Sequence, residues 1–122
     1  MSLPKPLPET ILVRPRIYIG ESLSIGPGKI DLLRLVGETR SLAEAARQKG
    51  IPYKRAWLLI ETLNQGFGRP VLEKVSGGKG GGGSVLTPLG AQLVESYALL
   101  EQRLNTSALP ELEALRALAA AP

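Results

Sequence analysis

Ser41-Leu42-Ala43-Glu44-Ala45-Ala46-Arg47-Gln48-Lys49-Gly50-Ile51-Pro52-Tyr53-Lys54-Arg55-Ala56-Trp57-Leu58-Leu59-Ile60-Glu61-Thr62-Leu63 is the stretch on which the fold turns. Ser41 and Glu44 have the spacing of a capping box, in which a hydroxyl and a carboxylate satisfy free amides at a helix start. The helix so begun runs through Ala45-Ala46 to Gly50, whose missing Cβ permits the left-handed backbone of a sharp helix end. Pro52 suits the first turn of a following helix. Its apolar positions Ala56, Leu59, Ile60 and Leu63 keep an unbroken i, i+3, i+4, i+7 spacing. Ala46 is small where the two helices cross, and Ile51 plugs the corner. The spacing predicts a helix-turn-helix, which projects the first half of its second helix outward, in the geometry that enters a DNA major groove.

With the buried stripe centred on Ala56, a helical wheel puts Lys54, Leu58 and Glu61 on the opposite side and Tyr53, Arg55 and Trp57 on the flanks. Lys54 and Arg55 are candidates for base and phosphate contacts, against the plainer role of solvating an exposed face. Tyr53 and Trp57 divide evenly between contacting DNA and packing on a neighbouring element. For Leu58, ordinary surface outweighs a thymine-methyl contact. Arg40 and Ser41 stand at a helix N-terminus, where a phosphate is held favourably, though a cap alone accounts for Ser41 equally well.

Outward from this core, Arg14-Pro15-Arg16-Ile17-Tyr18-Ile19 supplies a short strand ended by Gly20, and Ser24-Ile25-Gly26-Pro27-Gly28 is turn chemistry. A first helix over about 28–38 carries Ile30, Leu32, Leu33, Leu35 and Val36, apolar around much of its circumference. Such a helix lies deep in a core or has a second face covered by a partner chain. Beyond Gly66, Pro70–Val75 and Val85–Thr87 read as two strands joined by Gly77-Gly78-Lys79-Gly80-Gly81-Gly82-Gly83-Ser84. Thr87-Pro88 then starts a helix to about 104, striped by Leu89, Leu93, Tyr97, Leu100 and Leu104, and Leu109, Leu112, Leu115 and Leu118 suggest a last short helix.

Gly78, Gly80 and Gly83 formally fit the dinucleotide-binding glycine pattern, but strand-like Val85-Leu86 replaces the helix that would receive the phosphates. A Walker loop fails because Lys29 and Lys79 are followed by Ile30 and Gly80 rather than by Ser or Thr. As a hairpin tip the run makes a wing in which Lys79 reaches backbone or minor groove, the alternative being a connector without a role.

Composition narrows the rest. The 122 residues hold 43% hydrophobic and 21% charged side chains with one Trp, three Tyr and one Phe, so the core is built from aliphatic residues and favours helices in one domain. Neither Cys nor His occurs, which excludes zinc ribbons, thiolate chemistry, Ser-His-Asp triads and disulfides. Glu61 and Glu73 converge on no cleft motif, so no enzyme, catalytic residue, metal or cofactor is expected. Without a signal core or membrane span, a cytoplasmic location without membrane attachment is expected. Residues 40–80 carry a net charge of +5, against +1 for 1–39 and −2 for 81–122. A local cationic block steers polyanions toward itself.

Gly28-Lys29-Ile30-Asp31-Leu32-Leu33, Ser41–Ala46, Gly50-Ile51-Pro52-Tyr53-Lys54-Arg55-Ala56-Trp57, Gly68-Arg69-Pro70, the glycine run and Leu86-Thr87-Pro88-Leu89-Gly90 together resemble the N-terminal DNA-binding domain of the ModE molybdate-responsive transcriptional regulators. A helix-turn-helix alone would point only to a broad class that includes LysR-type proteins. The resemblance implies a winged-helix dimer joined through its first and last helices, with Tyr53, Lys54, Trp57 and the wing around Lys79 facing DNA. Pro52 departs from the family, which often has Ser there. The oxyanion-binding domains that hold molybdate in full-length members are expected to be missing, which leaves room for a separate molybdate-sensing protein as a partner.

The expectation is thus a mainly α fold with a small β wing (α+β), a winged helix-turn-helix with a long C-terminal dimerisation helix. Residues 1–13 form a Pro-rich arm, 14–104 the DNA-binding domain with its dimerisation helix at 88–104, and 105–122 a short helical extension. Arg40, Ser41, Pro52, Tyr53, Lys54, Arg55, Trp57, Arg69, Lys74 and Lys79 form the expected DNA-binding set. Ile30, Leu33, Leu89, Leu93, Tyr97, Leu100 and Leu104 form the expected dimer interface. A long leucine-striped helix, only partly covered by three short helices and a hairpin, requires such a partner. The function expected is transcriptional regulation by a homodimer on a palindromic duplex site, tied to molybdenum metabolism. The rival is a winged-helix protein-interaction module, or accessory subunit, serving a separate sensor-bearing regulator.

Overall fold

The computed structural model describes residues 12–76 and 83–120. Lys79 and the rest of the glycine run up to residue 82 lie outside the described residues, as does most of the N-terminal arm. In chain order the elements are β1 (Ile17–Ile19), β2 (Leu23–Ile25), α1 (Pro27–Thr39), α2 (Leu42–Lys49), α3 (Tyr53–Phe67), β3 (Leu72–Val75), β4 (Gly83–Leu86), α4 (Pro88–Ser107) and α5 (Leu109–Ala120). The fold is mostly helical, with two antiparallel hairpins, β1–β2 and β3–β4, and a long C-terminal helix pair, consistent with a winged helix-turn-helix.

α1 is the central beam, packed against α2, α3, α4 and β4. Leu32, Leu33 and Val36 are wholly buried on it and meet Ala45 of α2, Ala56 and Leu63 of α3, and Val71 in one cluster. This accounts for a helix apolar around most of its girth, because neighbours cover it on several sides. The α2–α3 corner is as the sequence predicts. Gly50 takes φ 72°, in the region that Cβ-bearing residues avoid, and the amides of Gly50 and Ile51 close the end of α2 on Arg47 and Ala46 carbonyls at 3.0 and 3.1 Å.

Several boundaries differ from expectation. Ser24 and Ile25, assigned to a turn, belong with Leu23 to strand β2, with Leu23 and Ile25 buried and Ser24 between them. It pairs Ile17 with Ile25 and Ile19 with Leu23, and so reduces the expected strand from Arg14 to its last three residues. Helix α3 continues through Gly66 to Phe67, and α4 runs to Ser107 rather than 104.

The residues of the expected dimer face differ in burial. Ile30 and Leu33 are 4% and 0% exposed and Tyr97 is 4% exposed, all within the core of the single chain. Tyr97 also donates its phenol to the Pro15 carbonyl at 2.6 Å. These three side chains pack within the single chain. Leu89, Leu93, Leu100 and Leu104 remain half-buried.

The segment before β1 is fastened across α1 and α4. Asn105 accepts from the Val13 amide and donates to its carbonyl, at 2.8 and 3.0 Å. Arg14 reaches Asp31 of α1 and Glu101 of α4, each at 2.8 Å. Partial burial works to raise the Asp31 carboxyl, but the Arg14 hydrogen bond and the charges of Arg14, Lys49 and Arg34 outweigh it, so it lies below the ordinary value of 3.8. A depressed carboxyl contributes stability that is present above its unfolded value and lost as pH falls through its folded one. Arg14→Met should therefore cost up to about 1 kcal/mol near neutrality, the pair being partly exposed. It should also flatten the loss of stability as pH falls below about 4, read from denaturant curves. Equal acid slopes in both proteins would show that Asp31 is not held this way.

Candidate nucleic-acid interface

The first turns of α2 and α3 and the β3–β4 hairpin converge on one polar cleft of about 240 Å³, lined by Ser41 and Ala43, Tyr53, Lys74 and Ser84. At its rim, Ser41 caps α2 by accepting from the Glu44 amide at 3.0 Å. The capping box is only half formed, because the Ser41 amide donates to Thr39 Oγ1 at 3.2 Å instead of to Glu44. The Glu44 carboxylate turns to Arg47 and Gln48, and the Arg47 hydrogen bond foremost holds its pKa down at about 2. That pairing neutralises Arg47, so among the described residues the cation nearest Ser41 in sequence without such a partner is Arg40.

Arg40 ends α1 with φ 60° and ψ 31°, the one non-glycine residue with positive φ among the described residues. Holding a Cβ-bearing residue there costs about 1 kcal/mol or more. An exposed arginine in a place where glycine would be more comfortable suggests that its charge, not its backbone preference, is what the corner requires.

Pro52 is the N-cap of α3 rather than a member of its first turn, and it provides no side-chain hydrogen bond. The opening amides of α3 thus have no side-chain cap, and a helix end of this kind favours an anion. Tyr53, Trp57 and Leu58 are 51%, 47% and 48% exposed, and Lys54 and Arg55 are exposed beside them. Trp57 lines a second small cleft with Tyr53, Glu61, Leu72 and Lys74, so the ring stands between hairpin and solvent and both roles foreseen for it remain open.

The structure therefore brings Ser41, Tyr53 and Lys74 together around one cleft, with Trp57 beside them. It does not bring Arg69 there. Arg69 is exposed just beyond Gly68, at the far end of the 15-residue α3, about 20 Å from Lys54 at 1.5 Å per residue. Ser84, absent from the expected set, stands opposite Lys74 in the hairpin register and lines the cleft. The one sequence signal for it was its place directly after the glycine run.

On the opposite side of the molecule's sequence, Leu93 and Leu100 of α4 join Ile17 and Ile19 of β1 around an apolar cleft of about 150 Å³. Among the described residues there is no group of three or more His, Cys, Asp or Glu able to hold a metal ion, and no helix long and apolar enough to cross a membrane.

No family model matches the chain. Individual relatives do. It is 40% identical over 86 residues to the DNA-binding transcriptional dual regulator ModE of Escherichia coli, covering 70% of this chain and 33% of that protein. It is 40% identical over 77 residues to the molybdenum-pterin-binding protein MopB of Rhodobacter capsulatus, covering 63% of this chain and 28% of that one. The transcriptional regulator ModE of Haemophilus influenzae is 37% identical over 86 residues, 70% of this chain and 34% of that one. The chain spans about a third of the length of the curated relatives it matches. Over the matched stretch the chain is similar to the ModE and MopB proteins.

Proposed function

We propose that the chain binds duplex DNA sequence-specifically and regulates transcription, as a homodimer on a palindromic site. The observation that carries this reading is the exposed first turn of α3, with Tyr53, Lys54, Arg55 and Trp57, set beside Lys74 and the capped start of α2. The residues of this face are of the types that grip phosphates and read base edges, and helix N-termini add favourable dipoles. Residues 14–104 form the DNA-binding unit in this proposal. Arg40, Ser41, Lys74, Arg69 and Lys79 anchor phosphates. Lys54 and Arg55 enter the major groove, and Tyr53, Trp57 and Pro52 shape its approach.

Two-fold symmetry follows from the half-buried Leu89, Leu93, Leu100 and Leu104 of α4, which supply apolar surface for a second copy. Recognition helices would then enter successive major grooves about 34 Å apart. A cytoplasmic location is part of the same proposal. The link to molybdenum rests on relatives that bear molybdenum in their names, MopB and the molybdenum transport protein ModE of Herbaspirillum seropedicae.

The test is a fluorescence-anisotropy titration against duplex from the region upstream of the protein's own coding sequence and against random duplex, across a salt series and with or without molybdate. Tighter binding to the upstream duplex, with log K falling steeply and linearly in log salt, is expected. No binding to either duplex at low salt would refute the reading and turn attention to a protein partner.

A further inference from the structure

The wing is held to the helix-turn-helix at two points, and at the upper one its strand comes close through a glycine. At its base, Val71 donates its amide to Asn64 Oδ1 of α3 at 2.8 Å, and its carbonyl accepts from Thr87 at 3.0 Å, where α4 begins. Higher up, the Ser84 amide donates to the Arg40 carbonyl at 3.1 Å. That amide faces away from β3, so the bond is additional to the hairpin ladder. Beside it, a Cβ placed on Gly83 would stand 2.6 Å from the same Arg40 oxygen, closer than real Cβ atoms come to backbone. The strand approaches the corner between α1 and α2 closely enough to bond only because residue 83 lacks a side chain.

We infer that Gly83 is a positioning residue: it lets β4 dock on the Arg40 carbonyl, and this fixes Lys74, directly across the hairpin from Ser84, in one frame with Arg40 and Ser41. The inference rests on the DNA-binding reading and deepens it. Arg40 serves twice, its carbonyl holding the wing while its side chain is exposed for phosphate. A wing fixed in this way presents its lysine to the backbone without an ordering cost at binding.

The experiment is a double-mutant cycle. Lys74→Ala should weaken duplex binding about tenfold at roughly 0.1 M salt and lower the salt slope by about one, as for loss of one phosphate contact. Gly83→Ala should produce most of the same loss while far-UV circular dichroism stays unchanged. Adding Lys74→Ala to Gly83→Ala should then cost little more, whereas adding Lys54→Ala should cost its full amount. A merely structural role for Gly83 would leave the Lys74 effect undiminished.

Hydrogen exchange at the Ser84 amide reports the joint independently of DNA, and its protection should fall in Gly83→Ala while the ladder amides of β3 and β4 keep theirs. Should Gly83→Ala fail to fold, Ser84→Pro removes the outward-facing donor from an edge strand that tolerates proline, and it should reproduce the same non-additivity. Unchanged Ser84 protection, or a Lys74→Ala loss of equal size in both backgrounds, overturns the inference. If the wild-type chain ignores duplex while Ser84 exchange responds as described, the joint stands, but the DNA-binding reading falls and takes the assigned role of Gly83 with it.

Discussion

Replacing Lys54 and Arg55 together by alanine should lower affinity for the specific duplex by about 100-fold, with no measurable loss of stability. Both residues lie in the first turn of α3 and are exposed, so truncating them opens no cavity. Surface changes of this kind stay within about 0.5 kcal/mol, and alanine is the better helix former. In a groove the balance reverses. A good base-edge contact contributes about 1–3 kcal/mol of discrimination, and about 1.4 kcal/mol is tenfold in affinity. Two losses therefore reach two orders of magnitude even with some coupling between neighbours.

The form of the loss separates the roles. If both side chains grip phosphates, the salt slope should fall by about two and random duplex should suffer as much as the specific one. If they read bases, the specific duplex alone should lose most of its advantage. A double variant with unchanged affinity, slope and discrimination would remove α3 from the interface and leave the proposed face without its centre.

The helix-turn-helix was legible because each of its signals is local. Gly50 needs a left-handed backbone, Ser41 needs an amide to cap, and Ala56, Leu59, Ile60 and Leu63 repeat at the period of the helix they form. β2 was not legible, because three residues beside Gly26-Pro27-Gly28 are too few to display alternation above the turn chemistry next to them. Where a second copy would meet the chain is not legible for a related reason. A stripe on α4 identifies which side of the helix is apolar, but not whether that side meets its own chain, and Tyr97 proves to be clamped beneath Pro15 from far earlier in sequence. The Ser84–Arg40 joint lies beyond any local pattern, since its two halves are 44 positions apart and communicate through backbone atoms that every residue possesses. In the candidate site, the residue types were readable and the cleft that gathers them was not.

The second large effect lies on the inner side of the same helix. Leu63 is wholly buried in the cluster formed with Leu32, Leu33, Val36 and Val71, whereas Leu58, five residues earlier on α3, is 48% exposed. Leu63→Ala removes the same atoms as Leu58→Ala but leaves a cavity that a close-packed interior cannot fill. It should cost about 2–5 kcal/mol, a large share of the roughly 5–15 kcal/mol available to a domain of this size. Leu58→Ala should stay within about 0.5 kcal/mol. Urea titrations followed by circular dichroism measure both, and an unchanged m-value would assign the difference to stability alone. Because the buried stripe holds α3 in place, Leu63→Ala should weaken DNA binding only under conditions where it unfolds the protein. Leu58→Ala leaves the folded population untouched, so any change it brings must arise at the interface. A loss confined to duplexes with thymine at one position would place Leu58 against a thymine methyl, and equal binding across all duplexes would leave it as ordinary surface. Comparable destabilisation by the two substitutions would mean that α3 does not bury the face assigned to it, and the outward projection of Lys54 and Arg55 would fail with that assignment.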